Sequence, residues 1–182
     1  MLRTCLVLLL LVIAPAALAA GPAAPAGTTH PFSVHDMLAM DRVSSPQVSP
    51  DGRQIVFEVS RTDLEHNRRR NDLWLVGADG AGLRRLTSHE AGDSEPRWAP
   101  DGRSILFLSS RSGSTQVWRI AADGGEAEPV TRLPLEVGTF RISPDGSRLV
   151  LAMQVFPGTG PEETAKRLAA TEERERSGPS GR

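Results

Sequence analysis

Ser49-Pro50-Asp51-Gly52 returns as Ala99-Pro100-Asp101-Gly102 and again as Ser143-Pro144-Asp145-Gly146, at spacings of 50 and 44 residues. Ser first, Pro second and Gly fourth are the preferences of a type I turn. Pro presets its own φ, and Gly accepts the left-handed conformation that closes the turn. Landmarks between the turns recur as well. Trp74 and Trp118 each stand 26 residues before the next turn proline, and Asp79-Gly80 and Asp123-Gly124 follow them by five. Thr87 and Thr131 come eight residues after those aspartates. The difference in spacing is therefore confined to the segment before Trp74, where the first copy carries six extra residues around Leu64 to Arg70.

Working outward, each copy reads as short strands. Gln47–Ser49, Ile55–Val59, Leu73–Val76 and Leu83–Thr87 are expected in the first copy. Arg97–Trp98, Ile105–Leu108, Val117–Ile120 and Pro129–Thr131 are expected in the second. Phe140–Ser143 and Leu149–Val155 begin a third copy, which stops at Pro157-Gly158. Asp-Gly pairs between strand-forming runs are hairpin signals. Four strands in a repeat of about 40 to 50 residues is the pattern of a propeller blade. The reading is all-β: a partial β-propeller over residues 46–157, with two four-stranded blades and part of a third. A blade apolar on both faces needs a neighbour on each side, so the sequence reads as an incomplete ring. Self-association that completes a ring is a further possibility.

The flanks differ in character. Arg3 followed by the apolar run Cys5–Ile13 and the small-x-small pattern Ala17-Leu18-Ala19 reads as a secretory signal peptide over residues 1–19. The run is shorter than the roughly 20 residues needed to span a bilayer. Cys5 is the sole cysteine, so cleavage leaves no thiol or disulfide. Residues 20–45 read as a leader rich in Ala, Pro and Gly with a short helix, Ser33 capping it and Asp36 in the capping-box position. Val34, Met37, Leu38 and Met40 give that helix an apolar side. Residues 158–182 read as a truncated helical tail, with the helix over Pro161 to Arg176. The expected location is the periplasm or the medium, with no membrane contact after cleavage.

With 182 residues, net charge -1 and 24% charged residues, nothing points to nucleic acid. No Gly-x-Ser-x-Gly pentad occurs, and Gly178-Pro179-Ser180-Gly181 has the wrong spacing. His30, His35, His66 and His89 have no nucleophile to activate. Asp51, Asp101 and Asp145 lie in separate turns, where bonding to local backbone explains them without an ion. Arg68-Arg69-Arg70, flanked by Glu65 and Asp72, reads as a solvated loop, and its place in the insertion makes it a candidate for packing on another domain. Trp74, Trp98 and Trp118 read as packing. No catalytic residue, metal site or cofactor is expected.

Residues 31–60, from Pro-Phe-Ser-Val-His-Asp-Met-Leu through Val-Ser-Pro-Asp-Gly-Arg-Gln-Ile-Val-Phe, resemble the start of exported bacterial peptidases of the prolyl oligopeptidase family, of the dipeptidyl aminopeptidase or acylaminoacyl peptidase kind. The likeness continues through Asp72-Leu73-Trp74-Leu75-Val76, Ser109-Ser110-Arg111-Ser112-Gly113 and Val137-Gly138-Thr139-Phe140 to Gly146. It implies a propeller that filters and holds peptide above an α/β-hydrolase domain carrying a Ser, Asp and His triad. That domain is absent from this sequence, so the chain is expected to be inactive alone, with peptide substrate reached through the missing domain. Dipeptidyl peptidases of the family grip the substrate amine with a Glu pair. Glu162-Glu163 is the candidate here, although at a helix start the dipole and the i,i+4 pairs with Lys166 and Arg167 also account for it. The Pro-Asp-Gly turn also occurs in periplasmic binding propellers such as the Tol-Pal translocation protein, which is the alternative reading.

Overall fold

The computed structural model describes residues 31–177; the expected signal peptide, most of the expected leader and His30 lie outside the described residues. Helix α1 is Val34–Ala39. The expected capping box forms with Asp at N3: Ser33 Oγ accepts from Asp36 N, and Asp36 Oδ2 accepts from Ser33 N at 2.7 Å. The predicted apolar side stays largely in solvent, with Val34, Met37 and Met40 all exposed.

Three antiparallel sheets follow. The first holds β1 (Arg42–Val48), β2 (Gln54–Asp63), β3 (Arg68–Gly77) and β4 (Arg84–Arg85) in chain order. The second repeats this with β5 (Asp93–Trp98), β6 (Ser104–Ser109), β7 (Gln116–Ala121) and β8 (Glu128–Pro129). The third pairs β9 (Thr139–Ile142) with β10 (Leu149–Ala152). These are two four-stranded blades and half of a third, a partial propeller as the repeat requires. Helix α2 is Pro161–Ser177.

Each Pro-Asp-Gly turn closes the hairpin between the first two strands of its sheet. Gly52 N donates to Ser49 O and Ser49 N to Gln54 O. Asp51 Oδ1, Asp101 Oδ1 and Asp145 Oδ1 accept from the amides of Arg53, Arg103 and Ser147, which is the local role the aspartates were assigned. Gly52, Gly102 and Gly146 have φ of 73°, 65° and 73°. Successive turns also touch: a Cβ on Gly102 would meet Pro50 Cδ at 3.7 Å, and one on Gly146 would meet Pro100 Cδ at 3.5 Å.

The core lies between sheets. Val56, Leu73, Leu75 and Leu86 of the first blade pack against Trp98, Ile105, Phe107 and Ile120 of the second. The opposite face of the second blade, Leu106, Leu108 and Val117, packs on Val137 and Phe140 of the third copy. Because side chains alternate along a strand, β6 is buried on both faces and reads as an apolar run. Burying a side chain such as Phe107 contributes roughly 1.5–3 kcal/mol.

Two expectations need correction. The six-residue insertion is not a loop. It lengthens the β2–β3 hairpin, pairing Arg61 with Arg70 and Asp63 with Arg68, and the turn is closed by Asn67 at φ 47°. Asn tolerates that left-handed conformation. Arg68 reaches Asp63 at 3.3 Å, while Arg70 donates to Ser88 O and lies 3.6 Å from Asp72, so this basic run is part of the blade. The outer strands are shorter than expected because a side chain takes over the ladder: Leu73 N donates to Thr87 Oγ1 at 3.0 Å, and Val117 N to Thr131 Oγ1 at 2.9 Å.

Candidate functional site

Strands β1 and β5 each form one edge of a four-stranded sheet, and β9 pairs with β10 alone, so each of the three has one unpaired edge. In β1 and β5 the pairing slips, between Ser44 and Gln47 and between Ser94 and Arg97. Ser45 and Glu95 hold φ of 52° and 50° at these slips, each directly before a proline, Pro46 and Pro96. Such left-handed residues cost on the order of 1–3 kcal/mol and gather at functional positions, and bulges re-aim side chains there. In the third copy Phe140 stands where that proline would be, and β9 pairs regularly.

The bulge at Glu95 brings three sheets together. Thr139 Oγ1 of β9 donates to Glu95 Oε2 at 2.9 Å. Glu58 of β2 is 9% exposed. Burial pushes its carboxyl above the usual range, the Glu95 amide that it accepts from opposes this, and the Glu95 charge adds to the rise. Arg97 Nη2 stands 3.9 Å from Glu95 Oε2. Burial, then the neighbouring Arg141, depress the Arg97 guanidinium from its ordinary value, with Glu95 acting the other way. Arg141 Nη1 donates to Phe140 O at 2.8 Å and to Thr139 Oγ1 at 3.3 Å.

Sequence reading did not single out Glu58, Glu95, Arg97 or Arg141. A signal was present: Gln47, Arg97 and Arg141 all stand three residues before a turn proline, and Pro46 and Pro96 four before. Glu95 also borders a cleft of about 770 Å³ between Leu135, Val137 and Gly138 on one side and Ala165, Leu168 and Glu172 of α2 on the other.

The expected pair Glu162 and Glu163 opens α2, both exposed, and neither lines that cleft. Glu163 meets Arg167 at 2.9 Å, one of the two i,i+4 pairs anticipated. His66 Nδ1 lies 2.9 Å from Asp63 in the hairpin turn, and His89 Nδ1 accepts from Ala91 N. Among the described residues no group of three or more His, Cys, Asp or Glu is gathered, and no helix is long and apolar enough to cross a membrane. Of the three tryptophans, Trp98 is the most buried and donates from Nε1 to Gln47 O of the first blade at 3.1 Å. Trp74 and Trp118 carry arginines on their rings, Arg61 at 5.4 Å and Arg111 at 5.0 Å.

Residues 37–160 match the family model of the TolB β-propeller domain. The chain belongs to that family. This TolB-type propeller is 33% identical to dipeptidyl-peptidase 5 of Porphyromonas endodontalis over 65% of its own length and 17% of the relative's. It is 30% identical to the uncharacterized peptidase YuxL of Bacillus subtilis over 74% of its length and 21% of that protein's. The chain thus spans about a fifth of the curated relatives it matches. Among solved structures, a putative TolB from Agrobacterium tumefaciens superposes with a TM-score of 0.51 at 29% identity, covering 63% of this chain and 39% of the other. The likeness to the propeller part of prolyl oligopeptidase-family peptidases, read from the sequence, therefore holds.

Proposed function

We propose that this chain is the non-catalytic propeller segment of an exported serine peptidase, placed to admit and hold peptide for a hydrolase domain that bears the triad. The observation that carries the reading is that dipeptidyl-peptidase 5 and peptidase YuxL are similar over most of the propeller and extend several-fold beyond the matched stretch. The signal-like first 19 residues support export to the periplasm or the medium. Glu162 and Glu163 have no part in this reading, because α2 geometry already accounts for them.

An antibody against residues 46–157, applied to the native source, tests it. The expected species is several times heavier than this 19.6 kDa chain. It reacts with a fluorophosphonate, which labels activated serines. A species near 19.6 kDa that is not labelled overturns it. The likeness to the putative TolB favours a second reading, a binding module of the Tol-Pal type. A heavy species that is never labelled and never cleaves peptides, yet is retained in a stable protein complex, selects that one.

A further inference from the structure

Five Asp-Gly pairs punctuate the chain: Asp51-Gly52, Asp79-Gly80, Asp101-Gly102, Asp123-Gly124 and Asp145-Gly146. Such a pair is prone to rearrange, because glycine sets no side chain between its own nitrogen and the carboxyl before it and lets the backbone turn freely. All five aspartates are exposed, and all five glycine amides donate to the carbonyl three residues back. Neither exposure nor the turn bond tells them apart. The hold on the carboxyl does. Asp51 Oδ1 accepts from the Ser49 hydroxyl at 2.6 Å and the Arg53 amide at 3.1 Å. Asp145 accepts from the Ser143 and Ser147 hydroxyls and from the Ser147 amide. These bonds favour the charged form: the Ser49 hydroxyl holds Asp51 below the usual carboxylate range, and the Ser143 and Ser147 hydroxyls bring Asp145 to about 2. Asp79 and Asp101 accept one amide each, from Ala81 at 3.0 Å and Arg103 at 2.9 Å. Asp123 has no hydrogen bond or ion pair with any described residue. Two glycines follow it, Gly124 and Gly125, at φ 109° and 110°.

We propose that Asp123 is a modification site, the position at which this propeller converts spontaneously to isoaspartate. The Gly124 nitrogen attacks Cγ of the protonated Asp123 carboxyl. The N–Cγ bond forms, the Cγ–O bond breaks, and the amide proton leaves with the hydroxyl as water. Water then opens the succinimide ring at the Asp123 main-chain carbonyl. That routes the backbone through Cβ and Cγ, lengthens it by one atom and frees the α-carboxylate. Mass is unchanged, and water is the sole co-reactant. The turn concerned joins β7 to β8. Ala122, beside it, donates from N to Arg103 O and accepts at O from Arg84 of the first blade. The added backbone atom therefore falls next to a contact between the two blades.

The test needs no variant. The full chain is kept near neutral pH in heavy-oxygen water and sampled over weeks. Peptide mass spectrometry with electron-transfer fragmentation separates isoaspartate from aspartate at each pair, and heavy-oxygen uptake counts every ring opening, whichever product forms. Asp123 is expected to react severalfold faster than Asp79 and Asp101, and these faster than Asp51 and Asp145. In urea the local partners are lost and every aspartate still precedes a glycine, so the five rates should converge. Equal rates in the folded chain, or a faster rate at any other pair, overturn the proposal. So does a lead of Asp123 that persists undiminished in urea, since sequence alone would then set it and the free carboxyl would count for nothing.

Discussion

Asp93 and Arg111 form a two-pronged ion pair inside the second blade, Arg111 Nη2 donating to both carboxylate oxygens at 2.8 and 2.9 Å, with Asp93 wholly out of solvent. The guanidinium is also flanked by Phe107 at 5.3 Å and Trp118 at 5.0 Å. The first blade builds the same device from Asp41, Arg61 and Trp74, with the ion pair at 3.0 Å, but there both partners are about half exposed. Arg61 and Arg111 each stand eleven residues after a turn proline, so one sequence position serves the same role in two environments.

That difference separates two variants. R111A leaves a buried carboxylate without its partner, a change that costs about 3–5 kcal/mol. R61A removes a solvent-screened pair and costs at most about 1 kcal/mol. Urea unfolding of the two variants side by side checks this. Equal losses would mean that the burial of Asp93 does not set the strength of its pair.

The recurring threonines behave as main-chain substitutes. Thr87 and Thr131, each two residues beyond the end of the outer strand, offer their hydroxyls to the amides of Leu73 and Val117, both fully buried residues. Valine keeps the shape and removes the acceptor. T87V should cost about 1–3 kcal/mol, the penalty of an unmet buried donor. T131V should cost at least as much, since its hydroxyl also donates to Gln116 Oε1 at 2.9 Å. Thermal or urea unfolding reads both values.

The blades were legible because their marks are local. A turn needs Pro and Gly at fixed offsets, and a doubly buried strand such as β6 needs an unbroken apolar run. The insertion before Trp74 was misread because its strand residues, Arg68 to Arg70, are charged; they stay in a strand because register with Arg61 to Asp63 extends an existing hairpin. The site was hidden for a different reason. Glu58, Glu95 and Arg141 come from three sheets and are brought together only when the blades pack, while the exposed Glu162-Glu163 pair was suggested by the Glu pair of the resembling peptidases and not by its surroundings.

The turn glycines permit a clean measurement of backbone cost. At Gly52 a Cβ would meet nothing within 4 Å, so G52A reports the left-handed conformation by itself, about 1–2 kcal/mol. At Gly146 the same change also brings a methyl within 3.5 Å of Pro100 of the previous turn, an ordinary contact. G146A should therefore cost the same as G52A in an unfolding titration. A markedly larger loss at Gly146 would show that the stacking of successive turns resists even a methyl group.

Glu58 sets a pH dependence whose sign follows from its surroundings. Burial first, and the Glu95 charge as well, raise its carboxyl above the ordinary 4.5, against the opposing Glu95 amide. As pH climbs through 4.5, the unfolded chain gives up this proton before the folded chain does, so stability falls as pH rises from that point through the folded value. Below 4.5 both states hold the proton and the penalty vanishes. E58Q removes the titration and keeps an oxygen to accept from the Glu95 amide. Near pH 7 the variant should be the more stable protein, and the gap should close as the pH is lowered below 4.5. Urea midpoints taken at both ends of that range decide it: a variant less stable than the parent at neutral pH would mean that the Glu58 charge holds the bulge at Glu95 in place instead of straining it.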